Sequence, residues 1–96
     1  WVLKNEGRFA KVAEVTSDKS GIRMEVYTDL PGVQMYTANF LDNEPGKGGA
    51  SYAKRSAVCL ETQYFPDAVH HENFPSPVCR KGQKYDTRTA YRFLTK

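Results

Sequence analysis

The stretch that decides the fold is residues 22–28, IRMEVYT. Its apolar residues Ile22, Met24 and Val26 alternate with the charged residues Arg23 and Glu25. Successive side chains of an extended chain point to opposite faces, so this period of two predicts a strand with one buried face and one solvated face. The chain is therefore expected to build a β-sheet around this segment.

Strand-like segments lie on both sides of this stretch, bounded by turn-forming residues. Residues 8–16 form the segment before it. After it comes Pro31-Gly32, which suits the centre of a type II turn because proline fixes φ and glycine accepts a positive φ. Residues 22–28 and 33–41 are therefore predicted to be neighbouring strands. Residues 33–41 are apolar or aromatic on both faces, which is typical of a strand covered on both sides.

The second half of the chain continues the same pattern. Two further strands are predicted, at residues 57–63 and 85–94, and residues 43–49 and 80–83 are predicted to be a loop and a turn. Prolines exclude regular structure between residues 65 and 78, apart from a helical turn after Pro66. The architecture predicted is all-β, an antiparallel β-sandwich. Strands buried on two faces need more sheet than 96 residues provide, so we expect further strands before Trp1.

Composition narrows the function classes. Apolar residues make up 40% of the chain and charged residues 26%, which is an ordinary globular balance. The net charge of +3 comes from scattered residues, and this argues against nucleic acid as a partner. No apolar run approaches the ~18 residues of a membrane helix. The two cysteines, Cys59 and Cys79, are expected to be free thiols in a reducing cytoplasm, with a disulfide bond between them as the alternative.

Two strands carry residues able to do chemistry. Alternation places Cys59, Glu61 and Gln63 on one face of their strand, and an ionised carboxylate there is costly if it is buried without a partner. Glu61 therefore faces water or lies in a polar cleft that uses it, and the spacing alone favours water. Gln34 and Tyr36 share a face, and an amide beside an aromatic ring suits a sugar. The pattern alone favours a plainer interpretation, a core strand with one polar edge residue.

Other chemistries have little support in the sequence. His70 and His71 are adjacent, and in an extended strand they would point to opposite faces and could not hold one metal ion together. No other cluster has metal-ligand spacing. Residues 46–49, GKGG, lack the pattern of a phosphate-binding loop, and no serine has the context of a catalytic nucleophile.

Several of these segments together resemble a known family. The segments that carry the resemblance are residues 31–41, 59–63, 65–69 and 74–75, followed by a final strand at 85–93. In this order and spacing they closely resemble the end of the aldose 1-epimerase (galactose mutarotase) family, over nearly the whole chain.

The resemblance implies a fold and an activity. Residues 1–96 would be the carboxy-terminal portion of one large antiparallel β-sandwich domain. The family interconverts the α and β anomers of free hexoses such as galactose and glucose, without metal or organic cofactor. Glu61 matches the general base of the family and Gln34 matches a residue that lines the sugar site. The acid is a histidine from an earlier part of the fold, so this chain alone is expected to be inactive.

The chain also departs from the family pattern. Met35 stands where an aromatic residue is usual, Ala38 and Ala57 where glycine is common, Arg55 where histidine is common, and His70 where asparagine is common. Ala38 and Arg55 are the departures that could reshape the cleft. Two alternatives stay open: a sugar-binding sandwich without activity, and a structural domain without a sugar site. Glu61 argues against the first, because a binding protein needs no base.

Overall fold

A computed structural model describes residues 1–95, and their regular structure is strands and two short 3₁₀ turns, with no α-helix in this part of the chain. The strands are β1 (Ala10–Thr16), β2 (Ile22–Thr28), β3 (Gly32–Tyr36), β4 (Glu44–Pro45), β5 (Ser51–Tyr52), β6 (Cys59–Gln63) and β7 (Thr89–Thr95). The 3₁₀ turns are Lys47–Gly49 and Ala68–His70. The predicted all-β class is confirmed.

The strands form three antiparallel sheets. The largest has the order β1-β2-β7, a second pairs β3 with β6, and a small hairpin pairs β4 with β5. The amino-terminal segment extends the second sheet, because Val2 forms an antiparallel bridge with Gly32. The backbone N–H of Val33 donates to the carbonyl oxygen of Trp1 at 3.0 Å. Both edges of β3 are thus paired.

The β1-β2-β7 and β3-β6 sheets pack face to face, and the core lies between them. Val26 of β2 is fully buried, and it packs in one cluster with Val33 of β3 and Leu60 of β6. The hydroxyl group of Tyr91, in β7, crosses the gap and donates to the carbonyl oxygen of Leu60 at 2.6 Å. This layered packing is that of a β-sandwich. Partly buried side chains complete the cluster: Leu3, Val12, Ala13, Val15 and Met24.

The opposite face of β2 carries an ion-pair cluster. The side chain of Glu25 is only 8% exposed, between Lys11 of β1 at 3.5 Å and Arg92 of β7 at 3.6 Å. The hydroxyl group of Tyr27 donates to the same carboxylate at 2.9 Å. This bond is the main reason that the pKa of Glu25 lies below its ordinary value; the two cations act in the same direction, and burial opposes them. The charged row of IRMEVYT thus lies outside the core, as its alternation predicts.

The predicted pairing of residues 22–28 with 33–41 is wrong. Pro31-Gly32 does not close a hairpin but carries the chain from one sheet to the other, and Gly32 begins β3 without a positive φ. Asn5 holds this crossing in place, because its side-chain amide donates to the carbonyl oxygens of Thr28 and Leu30. Gly32 packs closely against Phe65, since a Cβ there would lie 3.0 Å from the ring, so a larger residue would require that ring to shift.

The predicted strand 33–41 is also too long. The strand ends at Tyr36, and two residues later Ala38 has left the β region with a positive φ of 56°. Its predicted burial on both faces is not seen among residues 1–95, where Met35 is 47% exposed and Phe40 is 89% exposed. Three other predicted strands begin later than expected, at Ala10, Cys59 and Thr89. Residues 8–9, 57–58 and 85–88, which precede these ladders, are not part of any strand.

Three local predictions are confirmed: the limits of β2, the turn after Pro66 and the turn at residues 80–83. β2 has the predicted limits, and a 3₁₀ turn follows Pro66 at Ala68–His70. Residues 80–83 form a turn in which the backbone N–H of Gln83 donates to the carbonyl oxygen of Arg80 at 2.9 Å. Cys59 and Cys79 are exposed free thiols. In the described part of the chain, no helix has the length and apolar character needed to span a membrane.

Candidate active site

The β3-β6 pair places the predicted site residues in one row. In its register Gln34 lies opposite Glu61, and Tyr36 lies opposite Cys59. Directly opposed residues of an antiparallel pair have Cβ atoms about 4.5–5.5 Å apart and point to the same face. The structure therefore brings Gln34 and Glu61 together as neighbours.

The core fixes this register. Val33 and Leu60 alternate with Gln34 and Glu61 along the two strands, and both are buried against β2. A slip of one residue would turn these apolar side chains to the outer face and the polar ones into the core, so it is strongly disfavoured. The position of the carboxylate beside the amide thus follows from the burial of its apolar neighbours.

The row of Gln34 and Glu61 lies on the sheet face turned away from the core, and both residues are exposed. Neither side chain forms a hydrogen bond within residues 1–95, so their polar atoms are available to a ligand. Of the two environments expected for Glu61, the described residues show an open, solvated face rather than a closed cleft. The direct neighbour of Glu61 on this face is the uncharged amide of Gln34.

Tyr36 borders this row at the end of β3. Its ring stacks on that of Phe40, with centroids 6.2 Å apart and planes inclined by 15°. Its hydroxyl oxygen accepts a hydrogen bond from the backbone N–H of Phe40 at 3.0 Å. This leaves the hydroxyl proton free to donate to a ligand. The ring of Tyr36 is therefore held in a fixed orientation beside Gln34.

The loop that follows Tyr36 is joined to a second loop at Arg55, and this contact includes Asn39, which sequence reasoning did not assign to the site. The backbone N–H of Arg55 donates to the carbonyl oxygen of Ala38 at 3.0 Å, and its Nε donates to Oδ1 of Asn39 at 3.2 Å. Ala38 and Arg55 both have positive φ values, 56° and 62°. Asn39 carried no signal of its own in the sequence, because only the tertiary contact with Arg55 gives it a role.

His70 and His71 do not point away from each other, so that premise is wrong. Nδ1 of His70 contacts Oδ1 of Asp67, and Nε2 of His71 lies 3.3 Å from Oδ2 of the same carboxylate. The reason is that they lie at the end of a 3₁₀ turn, where the two-fold alternation of a strand does not apply. No group of three or more potential metal ligands was found among residues 1–95.

Fold and site together define a class: an antiparallel β-sandwich whose outer sheet face presents a carboxylate, an amide and a phenol side by side. Comparison with known proteins is more specific. The family model described as "Aldose 1-epimerase" matches residues 1–92. The chain belongs to the aldose 1-epimerase family.

Individual relatives agree with this assignment. The chain is 49% identical over 89 residues to a galactose mutarotase of Bos taurus, covering 92% of this chain and 25% of the relative. It is 51% identical over 82 residues to a galactose mutarotase of Homo sapiens, covering 84% and 24%. It is 35% identical over 97 residues to an aldose 1-epimerase of Escherichia coli (strain K12), covering 98% and 28%. The chain thus spans about a quarter of the length of the curated relatives it matches.

Proposed function

We propose that the protein containing this chain is an aldose 1-epimerase that interconverts the α and β anomers of free hexoses such as galactose and glucose. The observation that carries the proposal is the pairing of Glu61 with Gln34 on an open polar face, in a chain of this family. The residues proposed to act are Glu61 as general base, with Gln34 and Tyr36 as sugar-binding residues.

The proposed role of Glu61 follows from the chemistry of ring opening. The anomeric hydroxyl group must lose its proton while the ring oxygen gains one, and the C1–O5 bond then breaks to give the open aldehyde. Rotation about C1–C2 exposes the other face of the aldehyde to the C5 hydroxyl group, and closure inverts the anomeric centre. A carboxylate without a competing hydrogen-bond donor is suited to take the first proton and return it on closure.

Gln34 and Tyr36 are proposed to orient the sugar over Glu61. The amide of Gln34 both donates and accepts hydrogen bonds, as sugar hydroxyl groups do. The fixed ring of Tyr36 offers an apolar edge for the C–H groups of the pyranose, and its hydroxyl proton offers one further donor. Holding the anomeric hydroxyl group within hydrogen-bond distance of the carboxylate is the main requirement of such a site.

The rest of the site is proposed to come from the remainder of the domain. The acid that protonates the ring oxygen is expected to be a histidine there, since both histidines of this chain contact Asp67 instead. The same remainder is proposed to fill a cleft of about 770 Å³ between the two sheets, whose wall includes Val12, Val15 and Met35. The exposed free thiols suit a cytoplasmic location, which we include in the proposal.

The proposal is tested by Glu61→Gln in the full-length protein. The amide keeps the size of the side chain and cannot take the proton, so kcat for mutarotation of fresh α-D-glucose, followed by polarimetry, should fall by about 10²- to 10⁴-fold. Galactose binding, followed by NMR titration, should persist. Glu72→Gln, at an exposed carboxylate outside the site, is the matched control and should keep full activity.

Two results would count against the proposal. Unchanged turnover in Glu61→Gln would remove the residue from the mechanism. A wild-type protein that binds galactose without accelerating mutarotation would favour the alternative, a sugar-binding sandwich without catalytic activity. Absence of any galactose-induced NMR shift at Gln34 and Tyr36 would favour a structural domain.

A further inference from the structure

We propose that Thr89 and Tyr91 of β7 are positioning residues for Glu61. This inference rests on the proposed function and deepens it, because it names what holds the base in place. Tyr91 contacts Leu60, which precedes Glu61 in β6. Thr89 contacts Thr62, which follows it. These two contacts together are called the β7 clamp.

Both contacts of the β7 clamp are short hydrogen bonds. The hydroxyl group of Tyr91 donates to the backbone carbonyl oxygen of Leu60 at 2.6 Å. The hydroxyl oxygens of Thr89 and Thr62 lie 2.6 Å apart. Because Thr89 and Tyr91 are two residues apart in one strand, their side chains point to the same face. The β7 clamp therefore reaches β6 at two points, one on each side of Glu61.

Thr89 is itself held by a buried residue of the neighbouring strand. It lies opposite Thr28, which is fully buried, and their hydroxyl oxygens are 3.2 Å apart. The hydroxyl group of Thr28 donates to the backbone carbonyl oxygen of Arg88, which can only accept. Thr28 therefore accepts from Thr89, and Thr89 in turn accepts from Thr62. The three hydroxyl groups form a chain with one direction, in which each bond strengthens the next.

Glu61 depends on such support because its own side chain is not held. The side chain is exposed and forms no hydrogen bond within residues 1–95, so the backbone of β6 sets the direction in which it points. Thr62 points to the opposite face of β6, so the β7 clamp acts through the backbone and not on the carboxylate itself. A misplacement of about 1 Å at a reacting group can lower a rate by about 10²-fold. Fixing residues 60 and 62 therefore fixes the base.

The experiment measures mutarotation of fresh α-D-glucose by variants of the full-length protein. Tyr91→Phe removes the hydroxyl group and keeps the ring. It should lower kcat by about 10-fold with little change in KM, because the sugar-binding residues lie on β3. Thr89→Val should act in the same direction, and Thr89→Ser, which keeps a hydroxyl group, should retain most of the turnover. Tyr27→Phe is the matched control, since it loses a tyrosine hydroxyl bond to Glu25 on the outer face of the same sheet, and it should leave kcat unchanged.

A double-mutant cycle separates positioning from a general loss of stability. In a Glu61→Gln background, Tyr91→Phe should leave the residual turnover unchanged, because the base that it positions is gone. An equal loss from Tyr91→Phe in both backgrounds overturns the inference. Wild-type kcat in both Tyr91→Phe and Thr89→Val overturns it as well.

Hydrogen exchange tests the β7 clamp without any turnover. In the full-length protein, Tyr91→Phe should speed the exchange of the backbone amides of β6, relative to those of β1, by about 3- to 10-fold, the effect of one lost hydrogen bond. Equal exchange in the wild type and Tyr91→Phe contradicts the inference. If Glu61→Gln keeps wild-type turnover, the proposed function fails, and the exchange rates still decide whether the β7 clamp fixes β6.

Discussion

The positions of single residues could be predicted from the sequence only in part. The alternation of β6 predicted which face Glu61 shares with Cys59 and Gln63. That Gln34 lies directly opposite Glu61 could not be read from the alternation, because register depends on the burial of Val33 and Leu60. The backbone conformation of Ala38, in contrast, was not predicted. The structure places Ala38 at a positive φ of 56°, a conformation for which an alanine carries no signal in the sequence.

Ala38 leads to a prediction about stability. The residue is only 1% exposed and lies in the left-handed region, where a β-branched side chain is strongly disfavoured and an extra methyl group has no space. Ala38→Val should lower the free energy of unfolding of the full-length protein by about 2–4 kcal/mol. In Ala38→Gly, relief of backbone strain offsets the lost methyl group and added chain entropy, so the change should stay within about 1 kcal/mol. Denaturant unfolding checks both, and equal effects of valine and glycine would contradict the backbone argument.

Elements show where sequence reasoning succeeds and where it stops. The limits of β2 were predicted because strict alternation is a local signal. The strands that pair with β2 were not predicted, since a Pro-Gly pair serves a hairpin or a crossing between layers equally well. Here the chain crosses between layers, and Asn5 bonds to Thr28 and Leu30 at the crossing. The Glu25 cluster on the outward face of β2 also depends on this pairing, because its cations come from both neighbouring strands.

The Glu25 cluster predicts a pH dependence. The pKa of Glu25 is lowered mainly by the Tyr27 hydroxyl group. A lowered folded-state pKa means stabilisation that is present above the unfolded value of about 4.3 and is lost as the pH falls through the folded value. Tyr27→Phe should therefore raise the pKa of Glu25 towards its ordinary value, measured by NMR titration of its carboxyl carbon. The loss of stability relative to wild type should be largest near neutral pH and shrink in acid. A Glu25 titration that Tyr27→Phe leaves unmoved would show that another partner controls this carboxylate.

At the scale of the whole molecule, the chain has the parts of a sandwich but leaves large surfaces uncovered. The cleft beside β1 is lined mostly by apolar side chains, and the face that carries Glu61 is open. The sequence prediction of further strands rested on residues 33–41 being buried on both faces, and residues 1–95 do not show that burial. Which surfaces are uncovered depends on how the two sheets are stacked, and no local pattern encodes that.

These open surfaces lead to a prediction about the isolated polypeptide. Both histidines contact Asp67 rather than Glu61, and the cleft is in contact with water. Residues 1–96 alone should therefore not accelerate the mutarotation of fresh α-D-glucose, measured by polarimetry. The cleft should also bind an apolar fluorescent dye, because exposed apolar patches of this kind do so in incompletely packed proteins. The full-length protein is the control and should show turnover with little dye binding. A clear catalysed rate from the isolated chain would contradict the prediction.

The pairing of β2 with β7 also sets the order in which the molecule can assemble. Thr28 and Thr89 meet across this ladder although they are 61 residues apart in the chain. Closing such a long loop is slow and must precede the gain from its contacts. During synthesis on the ribosome, β1 and β2 emerge before β7. The edge of β2 that pairs with β7 therefore stays open until the residues between them have been made. A nascent chain of this design therefore exposes a strand edge to other chains for the whole interval, the stage at which chaperones matter most.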